Sequence, residues 1–237
     1  MSTERNEFLE YLHFDLSTAT EEYVRYLFDY RPQFYAQACA VHKAIVEAFP
    51  ELDFHTVCRI KSFDSTLNKA RSKTLDRVFD IHGMKHIIHS VAGDDSEPIL
   101  IGYCYKLQAF LEEYYAKHGI EIIHSRTKDY IQSPKESGYE AIHLSGAVCQ
   151  QMGRRFETQI KTARMESVAK YGTANHSEKY KPRTLGKYPT TKVPTYMTIT
   201  HTDDGQITSH ELTQPQCFQY FYNIPYEEYL QQRQTEK

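Results

Sequence analysis

The 237-residue sequence has no tryptophan and lacks the short motifs that define several large enzyme classes. A GxxxxGK[ST] stretch is absent, which excludes the P-loop nucleotide-binding enzymes. HExxH and GxSxG are absent as well, and the 12 histidines are scattered. Neither a metal-dependent hydrolase site nor a serine-hydrolase site is therefore supported.

Cysteine usage and hydropathy limit the cellular setting. The five cysteines are an odd number at wide spacing, and no CxxC pair occurs. This pattern predicts buried free thiols in a reducing compartment rather than disulfides or a zinc site. No apolar run reaches membrane length, and no signal-peptide pattern follows Met1. We therefore expect a cytoplasmic protein that does not contact a membrane.

Charge is unevenly distributed along this slightly acidic chain, whose formal net charge is -3. Residues 1–53 contain ten acidic and four basic residues, whereas residues 59–85 contain seven basic and three acidic ones. The overall charge argues against a general nucleic-acid coat. A basic middle segment is typical of a polyphosphate pocket, although a solvated charged surface also explains it.

Helical and strand patterns are mixed along the chain, which predicts an α+β fold with helices packed on a sheet. The predicted elements are a helix over 18–49, split or kinked at Pro32, strands over 54–61 and 77–89, a helix over 97–117, strands over 140–150 and 155–162, and a hairpin around 203–205. We expect three parts: an N-terminal helical segment (1–53), a catalytic core (54–182), and a loop, hairpin and short helix (183–237).

Basic residues two positions apart on predicted strands form the first candidate site. Arg59 and Lys61 share one strand face, Arg126 and Lys128 repeat the spacing, and Lys69 follows in a predicted helix. Guanidinium forks and ammonium groups bind phosphate oxygens, so two such pairs are suited to a triphosphate. Exposed salt bridges explain this spacing about as well.

Two acidic residues lie among strand-forming neighbours. Asp80 sits in the apolar VFDI stretch, and Glu157 lies within a predicted strand. An acid in such a place must be paired, protonated or bound to a metal. Together the two are suited to Mg²⁺, and Glu157 is also a candidate to accept a proton from a hydroxyl. A structural salt bridge is the alternative for each acid.

A third candidate element is an aromatic platform. Tyr139 follows Gly138 at the end of a Pro-Lys-x-x-Gly-Tyr loop, so we expect its ring to be openly presented for stacking on a nucleobase. Lys135 and His143 flank it. A core tyrosine and a structural histidine are the alternative.

Four motifs stand in the order found in one known family. RIKSFDSTLNK (59–69), FDIHGMK (79–85), RTKDYIQSPKESGYEAIH (126–143) and ETQIKT (157–162) resemble the synthetase domain of RelA/SpoT-type alarmone synthetases. The resemblance implies a mixed β-sheet of nucleotidyltransferase type flanked by helices. It also implies transfer of pyrophosphate from ATP to the 3′-hydroxyl of GDP or GTP, which gives ppGpp or pppGpp.

The resemblance also assigns roles to individual residues. The residues implied to bind ATP are Arg59, Lys61, Ser65, Lys69, Arg126 and Lys128. Those implied to bind the acceptor nucleotide are Lys135, Ser137, Tyr139, His143 and Lys161. Asp80 and Glu157 would hold Mg²⁺. Glu157 would in addition activate the 3′-hydroxyl, and Gln159 would orient neighbouring groups.

Departures from the family pattern leave the acceptor open. Lys85 and Lys161 stand where the family usually has arginine, and Ser137 stands where asparagine is usual. The resemblance implies a small, stand-alone, synthesis-only member, and such relatives often form homo-oligomers. Alternative acceptors are the 3′-CCA end of tRNA, whose backbone the basic segment 179–192 would bind, and adenine nucleotides. A toxin of this kind would have an antitoxin-like partner. A non-catalytic nucleotide sensor is the alternative of another class.

Overall fold

The computed structural model describes residues 19–62, 65–66, 69, 78–148, 155–171 and 194–222. Its elements are α1 (Ala19–Ala48), β1 (Leu52–Ile60), β2 (His82–Val91), α2 (Glu97–Lys117), β3 (Ile120–Ile122), a 3₁₀ turn (His124–Arg126), β4 (Lys128–Asp129), β5 (Ile142–Val148), β6 (Arg155–Thr162), α3 (Ala163–Tyr171), β7 (Thr195–His201), β8 (Ile207–Glu211) and α4 (Gln214–Tyr222).

The described strands form one eight-stranded sheet in the order β3-β5-β6-β2-β1-β7-β8, with β4 paired to β5. Strands β2 and β6 run parallel, and the other pairs run antiparallel. The sheet is therefore mixed, with helices packed against it, which confirms the predicted fold class.

One face of this sheet is mostly apolar, because most alternate residues of its central strands are hydrophobic, with a few buried polar residues such as His86 and Thr158 among them. The core includes Cys58 on β1, Met84 and Ile88 on β2, and Phe156 and Ile160 on β6, all buried. Helices α1 and α2 cover this face. Burial of this continuous apolar layer fixes the strand register, since a shift by one residue would turn it toward solvent.

Helix α1 runs through Pro32 without a break, so the predicted split is wrong, while the alternative of a kink stays a prediction. Phe34, Ala38, Val41 and Ile45 recur at helical spacing and are fully buried in the core. Pro32 itself is exposed. The packing of this stripe on the sheet outweighs the hydrogen bond that a proline removes from a helix.

Helix α2 has the bounds that the sequence predicts. Pro98 lies in its first turn, where a missing N–H leaves no hydrogen bond unmade. Leu107, Leu111 and Tyr115 line its buried side, and the Tyr115 hydroxyl lies 2.8 Å from Thr158 Oγ1 on β6. This contact ties the helix to the strand that carries Glu157.

Two local predictions have different outcomes. The hairpin around 203–205 is confirmed, because β7 and β8 pair around Gly205, whose φ is 79°. The bulge or close backbone approach predicted at Gly83 is not found, since Gly83 lies in regular register and a Cβ there would make an ordinary 3.6 Å contact. The described register irregularity of β1 and β2 lies between Asp53 and Phe54.

Several predictions fall outside the described residues. They include Cys149, the basic segment 179–192 and most of the helix predicted after Ser62. Of the other cysteines, Cys58, Cys104 and Cys217 are buried free thiols, as predicted, whereas the free thiol of Cys39 is only half-buried. The boundaries at 53/54 and 182/183 stay a prediction. Within the described part of the chain, none of the helices combines the length and apolarity that a membrane crossing requires.

Candidate active site

Strand register brings the candidate residues together on the sheet face opposite α1 and α2. Arg59 on β1 pairs with Gly83 on β2, Gly83 pairs with Glu157 on β6, and Glu157 pairs with Ser145 on β5. Directly paired residues point to the same face of a sheet. Arg59 and Glu157 therefore face the same side across the side-chain-free Gly83.

A second row lies one step further along the strands. Lys85 on β2 pairs with Gln159 on β6, which pairs with His143 on β5, which pairs with Lys128 on β4. The pairings β2–β6 and β5–β6 thus bring five charged or polar residues of distant segments into two adjacent rows. They are Lys85, His143, Ser145, Glu157 and Gln159. Lys128 is exposed at the end of its row.

Asp80 anchors the first half of the site. It lies in the turn before β2 and not inside the strand, which corrects the sequence prediction. Its carboxylate is 3.0 Å from Lys61 Nζ and 2.6 Å from Lys69 Nζ. Burial alone would raise the pKa of Asp80, but the two ammonium groups outweigh burial and hold it well below its usual range.

Lys61 is the more buried of the two lysines. Its pKa is lowered to about 8, mainly by burial and then by the nearby Arg59 charge, while the Asp80 carboxylate opposes both. Ser65, also predicted to bind ATP, accepts a 2.8 Å hydrogen bond from the Ser62 hydroxyl. The structure therefore gathers Arg59, Lys61 and Lys69 around Asp80, as the phosphate-site prediction requires.

Arg126 also reaches this half, though not from a strand as predicted. It ends the 3₁₀ turn, and its guanidinium carbon lies 4.0 Å from the centroid of the Phe79 ring. Phe79 directly precedes Asp80 in the chain. A cation–π contact of this geometry holds the Arg126 guanidinium on the ring of the residue that precedes Asp80.

Glu157 lies at the centre of the site. Its carboxylate is 3.3 Å from His143 Nδ1 and accepts a 2.8 Å hydrogen bond from Gln159 Nε2. Burial raises the pKa of Glu157, whereas these two partners lower it, and the outcome is about 2. The nearby Asp80 charge acts in the opposite direction. Glu157 is consequently a carboxylate at any physiological pH.

Tyr139 organises the second half of the site through its hydroxyl. That hydroxyl lies 2.8 Å from His143 Nε2, donates to Gln159 Oε1 at 3.2 Å and accepts from Lys161 Nζ at 3.4 Å. The Lys135 ammonium lies 4.8 Å from its ring centroid. Tyr139 is half-buried, so its ring is less open than the sequence prediction assumes. Ser137 lies two residues earlier in the same loop.

A buried carboxylate that sequence reasoning missed completes the site. Glu166 on α3 lies 2.6 Å from Lys85 Nζ, 3.3 Å from Lys161 Nζ and 3.6 Å from Lys170 Nζ. Burial raises the pKa of Glu166, but the three lysines lower it to about 2. The Tyr220 hydroxyl of α4 donates to the same carboxylate at 3.4 Å. Glu166 falls in the stretch MESVAKYGTANHSEKYK (165–181), which resembles the family only loosely, and the sequence assigns it no role because its lysine partners lie on three elements.

The two central acids fit a magnesium ion only in part. Among the described residues, no group of three or more His, Cys, Asp or Glu side chains could hold a metal on its own. Asp80 and Glu157 are both ionised and lie close enough to influence each other electrostatically. Mg²⁺ is commonly held by one or two carboxylates together with substrate phosphates. The pair therefore fits Mg²⁺ that arrives with a nucleotide.

Comparison with known proteins agrees with this geometry. A family model described as a region found in RelA / SpoT proteins matches residues 58–184, more than half of the chain. The chain belongs to the RelA/SpoT family. The match includes every candidate residue of both halves, and the resemblance stated from the motifs is confirmed at the level of the family.

Curated relatives match this RelA/SpoT region at low identity. A guanosine-3′,5′-bis(diphosphate) 3′-pyrophosphohydrolase of Spiroplasma citri is 32% identical over 120 residues, which are 50% of this chain and 14% of the relative. The GTP pyrophosphokinase YwaC of Bacillus subtilis is 34% identical over 90 residues, 38% of this chain and 40% of the relative. The chain thus spans less than half the length of either relative.

A solved structure supports the fold. Small alarmone synthetase 1 from Bacillus subtilis, bound to its product pppGpp, aligns with a TM-score of 0.50 at 24% identity. The alignment covers 69% of this chain and 84% of that one. This likeness shows that the two proteins share the mixed sheet with flanking helices.

Proposed function

We propose that the chain is a pyrophosphokinase that transfers the β,γ-pyrophosphate of ATP to the 3′-hydroxyl of GDP or GTP. The observation that carries the proposal is the position of Glu157 between two halves of opposite character. On one side lies a cationic group around Asp80, suited to a triphosphate. On the other lies the Tyr139–His143–Gln159 network, suited to a nucleoside.

The reaction forms one bond and breaks one. The 3′-oxygen of the acceptor attacks the β-phosphorus of ATP, the bond between the α,β-bridging oxygen and the β-phosphorus breaks, and AMP leaves. The proton of the 3′-hydroxyl is released to a carboxylate or to water. Such a transfer needs alignment and charge neutralisation more than covalent chemistry. Lys61, Lys69 and Arg59 would neutralise the donor phosphates.

Glu157 would act mainly by orientation. A carboxylate with a pKa of about 2 is a weak base at neutral pH, far from the value that is best for proton abstraction. It is, however, a strong hydrogen-bond acceptor. It would align the 3′-hydroxyl, and His143 and Gln159 would hold its position.

Asp80 and Glu157 are the residues that would hold Mg²⁺. When bound, the ion would neutralise charge on the transferred pyrophosphate. Lys61 and Lys69, which pair with Asp80 in this structure, are positioned to take phosphate oxygens instead. Support for this assignment is the pair of ionised carboxylates beside a cluster of cations.

A transfer assay tests the proposed function. The protein is incubated with Mg²⁺ and ATP labelled in the γ-phosphate, and separately with GDP, GTP, AMP, ADP and deacylated tRNA. Label on GDP or GTP is the expected result. Label on tRNA alone or on adenine nucleotides alone would overturn the proposed acceptor, and no transfer at all would favour a nucleotide sensor.

The substitution Glu157→Gln tests the role of the central carboxylate. It keeps the volume and removes the charge, so kcat should fall at least ~100-fold, the scale of losing an electrostatic group at the reacting centre. Binding of a non-hydrolysable ATP analogue should change by only a few fold. Glu113→Gln, on the exposed side of α2, is the matched control and should be silent. Unchanged kcat in Glu157→Gln would contradict the assigned role.

A further inference from the structure

A second arginine stacks on the ring that holds Arg126. The guanidinium carbon of Arg155 lies 4.4 Å from the centroid of the Phe79 ring, and that of Arg126 lies 4.0 Å from the same centroid. Phe79 and Arg155 are half-buried and Arg126 is exposed. One aromatic ring thus gathers two permanent positive charges.

The three residues come from separate segments, and two of them lie close in sequence to Asp80 and Glu157. Arg155 is the first residue of β6 and lies two positions before Glu157, so both side chains leave the same face of the strand. Phe79 directly precedes Asp80, and Arg126 ends the 3₁₀ turn. The motifs that identify the family do not include Arg155.

The two stacked guanidinium groups concentrate positive charge, since both carbons lie within 4.4 Å of the centroid of one ring. Two like charges held around one ring favour the binding of an anion near them. Stacking uses the flat face of a guanidinium, whereas its five N–H donors lie in the plane. An arginine can therefore stack on Phe79 and bind phosphate oxygens at the same time.

We propose that Arg155 is a further substrate-binding residue, which together with Arg126 grips the polyphosphate of a nucleoside triphosphate beside Asp80. Phe79 is the positioning residue that holds both guanidinium groups. The inference rests on the proposed function, because it assigns the pair to the donor nucleotide of that reaction. It adds a contact that lies on β6, the strand that also carries Glu157.

Calorimetric titration with two probes tests the assignment. The probes are a non-hydrolysable ATP analogue with Mg²⁺ and inorganic tripolyphosphate. Arg155→Ala should weaken both about 10- to 100-fold, the range for a lost hydrogen bond between charged groups. Arg155→Lys keeps the charge without the planar fork, so its affinity for both probes should lie between those of the wild type and Arg155→Ala. Phe79→Leu should weaken both probes less than Arg155→Ala. In the transfer assay, the KM for ATP should rise in Arg155→Ala while the KM for the acceptor stays within twofold.

Lys106→Ala is the control, because it removes an exposed cation–π contact on α2, 4.1 Å from the Tyr103 ring. If Arg155→Ala binds both probes with the same affinity as this control, the inference is overturned. Weaker binding of the analogue with unchanged tripolyphosphate binding would also overturn it, since the contact would then be to the nucleoside. If Arg155→Ala does not fold, Arg155→Lys decides the same question.

The two proposals can fail separately. Loss of tripolyphosphate binding in Arg155→Ala, combined with no pyrophosphate transfer by the unmodified protein, would reject the proposed function and keep the phosphate site. Transfer to GDP or GTP by the unmodified protein, combined with an unchanged KM for ATP in Arg155→Ala, would support the proposed function and reject the assignment of Arg155.

Discussion

Glu166 provides the sharpest prediction about stability. Its carboxylate is the shared partner of Lys85, Lys161 and Lys170, and the Lys161 side chain is only 2% exposed. Glu166→Gln keeps the shape of the side chain and removes its charge. Three ammonium groups are then left together, one of them fully buried, without the carboxylate that balances them.

The size of the effect follows from this burial. Removing one partner of a buried ion pair costs ~3–5 kcal/mol, because the other charge stays buried and unpaired. Lys85 and Lys170 retain 16% and 27% exposure, so water compensates them in part, and the lower end of the range applies. We expect a loss of about 3 kcal/mol, or roughly 6–12 °C in Tm for a chain of this size.

The pH dependence separates this electrostatic effect from a packing defect. The folded-state pKa of Glu166 is lowered, so its contribution is present above the unfolded value of about 4.3 and is lost as pH falls toward 2. On the alkaline side, Lys161 has a lowered pKa of about 8 and loses its charge above that pH. The difference between wild type and Glu166→Gln should therefore be largest between pH 5 and 8, as judged from these pKa values.

Urea unfolding at pH 3, 6.5 and 9.5 measures this difference, with the exposed Glu113→Gln as the control that should leave the midpoint unchanged. The double variant Lys161→Met/Glu166→Gln should be more stable than Glu166→Gln alone, because it removes the stranded buried charge. A Glu166→Gln protein of wild-type stability at pH 6.5 would refute the reasoning. So would a loss that is equal at all three values of pH.

Three further predictions concern the nucleotide sites and the core. Lys61 has a lowered pKa of about 8, so at saturating acceptor the KM for ATP should rise as pH increases through that value, and Lys61→Arg should flatten the profile because arginine stays protonated. A pH-independent KM in the wild type would contradict a phosphate contact of Lys61. Tyr139→Ala should raise the KM for the acceptor by about tenfold or more, since stacking on a base contributes ~1–3 kcal/mol, while Tyr139→Phe keeps the ring and should lose less. Equal losses in the two variants would show that only the hydroxyl matters. Gly146→Ala should destabilise the fold by ~1–3 kcal/mol in thermal unfolding, because its Cβ would lie 2.7 Å from the Phe156 ring. Gly102→Ala is the control in the same assay. It lies in open space on helix α2 and should stabilise the fold by ~0.5–1 kcal/mol.

Much of the sheet was predictable because strand patterning is local. The strand-forming composition of FHTVCRIK and RFETQIKT predicts strands, and β1 and β6 form there. The predicted bounds of α2 agree with the structure, since an apolar face at helical spacing is a local signal. The split predicted at Pro32 does not occur, because packing of α1 on the sheet opposes the local effect of a proline, and the sequence alone does not display that packing.

The candidate site was predictable only where its residues fall within ordered motifs. Arg59, Asp80, Tyr139 and Glu157 lie in such motifs, and the structure places them on one side of the sheet.

Glu166 and Arg155 lie outside the predicted set for a physical reason. Glu166 acquires its partners when β2 and β6 pair in parallel, because that register sets Lys85 one row from Lys161 beneath the start of α3. Arg155 meets Arg126 only through the ring of Phe79. The Lys85–Glu166 contact and the stacking of both arginines on Phe79 join distant segments of the chain, and no period or spacing in the sequence encodes them.

The lysines at positions 85 and 161 fit this buried setting better than arginines would. An ammonium group is a compact point charge, and at Lys161 it fits between the Glu166 carboxylate and the Tyr139 hydroxyl, at 3.3 Å and 3.4 Å. A guanidinium carries five donors in a rigid plane and would leave several of them without an acceptor in a space this closed. Lys85 and Lys161 therefore couple the Tyr139 half of the site to α3 through point charges. The fork-shaped cations Arg59, Arg126 and Arg155 lie on the half where, under the proposed function, a polyphosphate would bind.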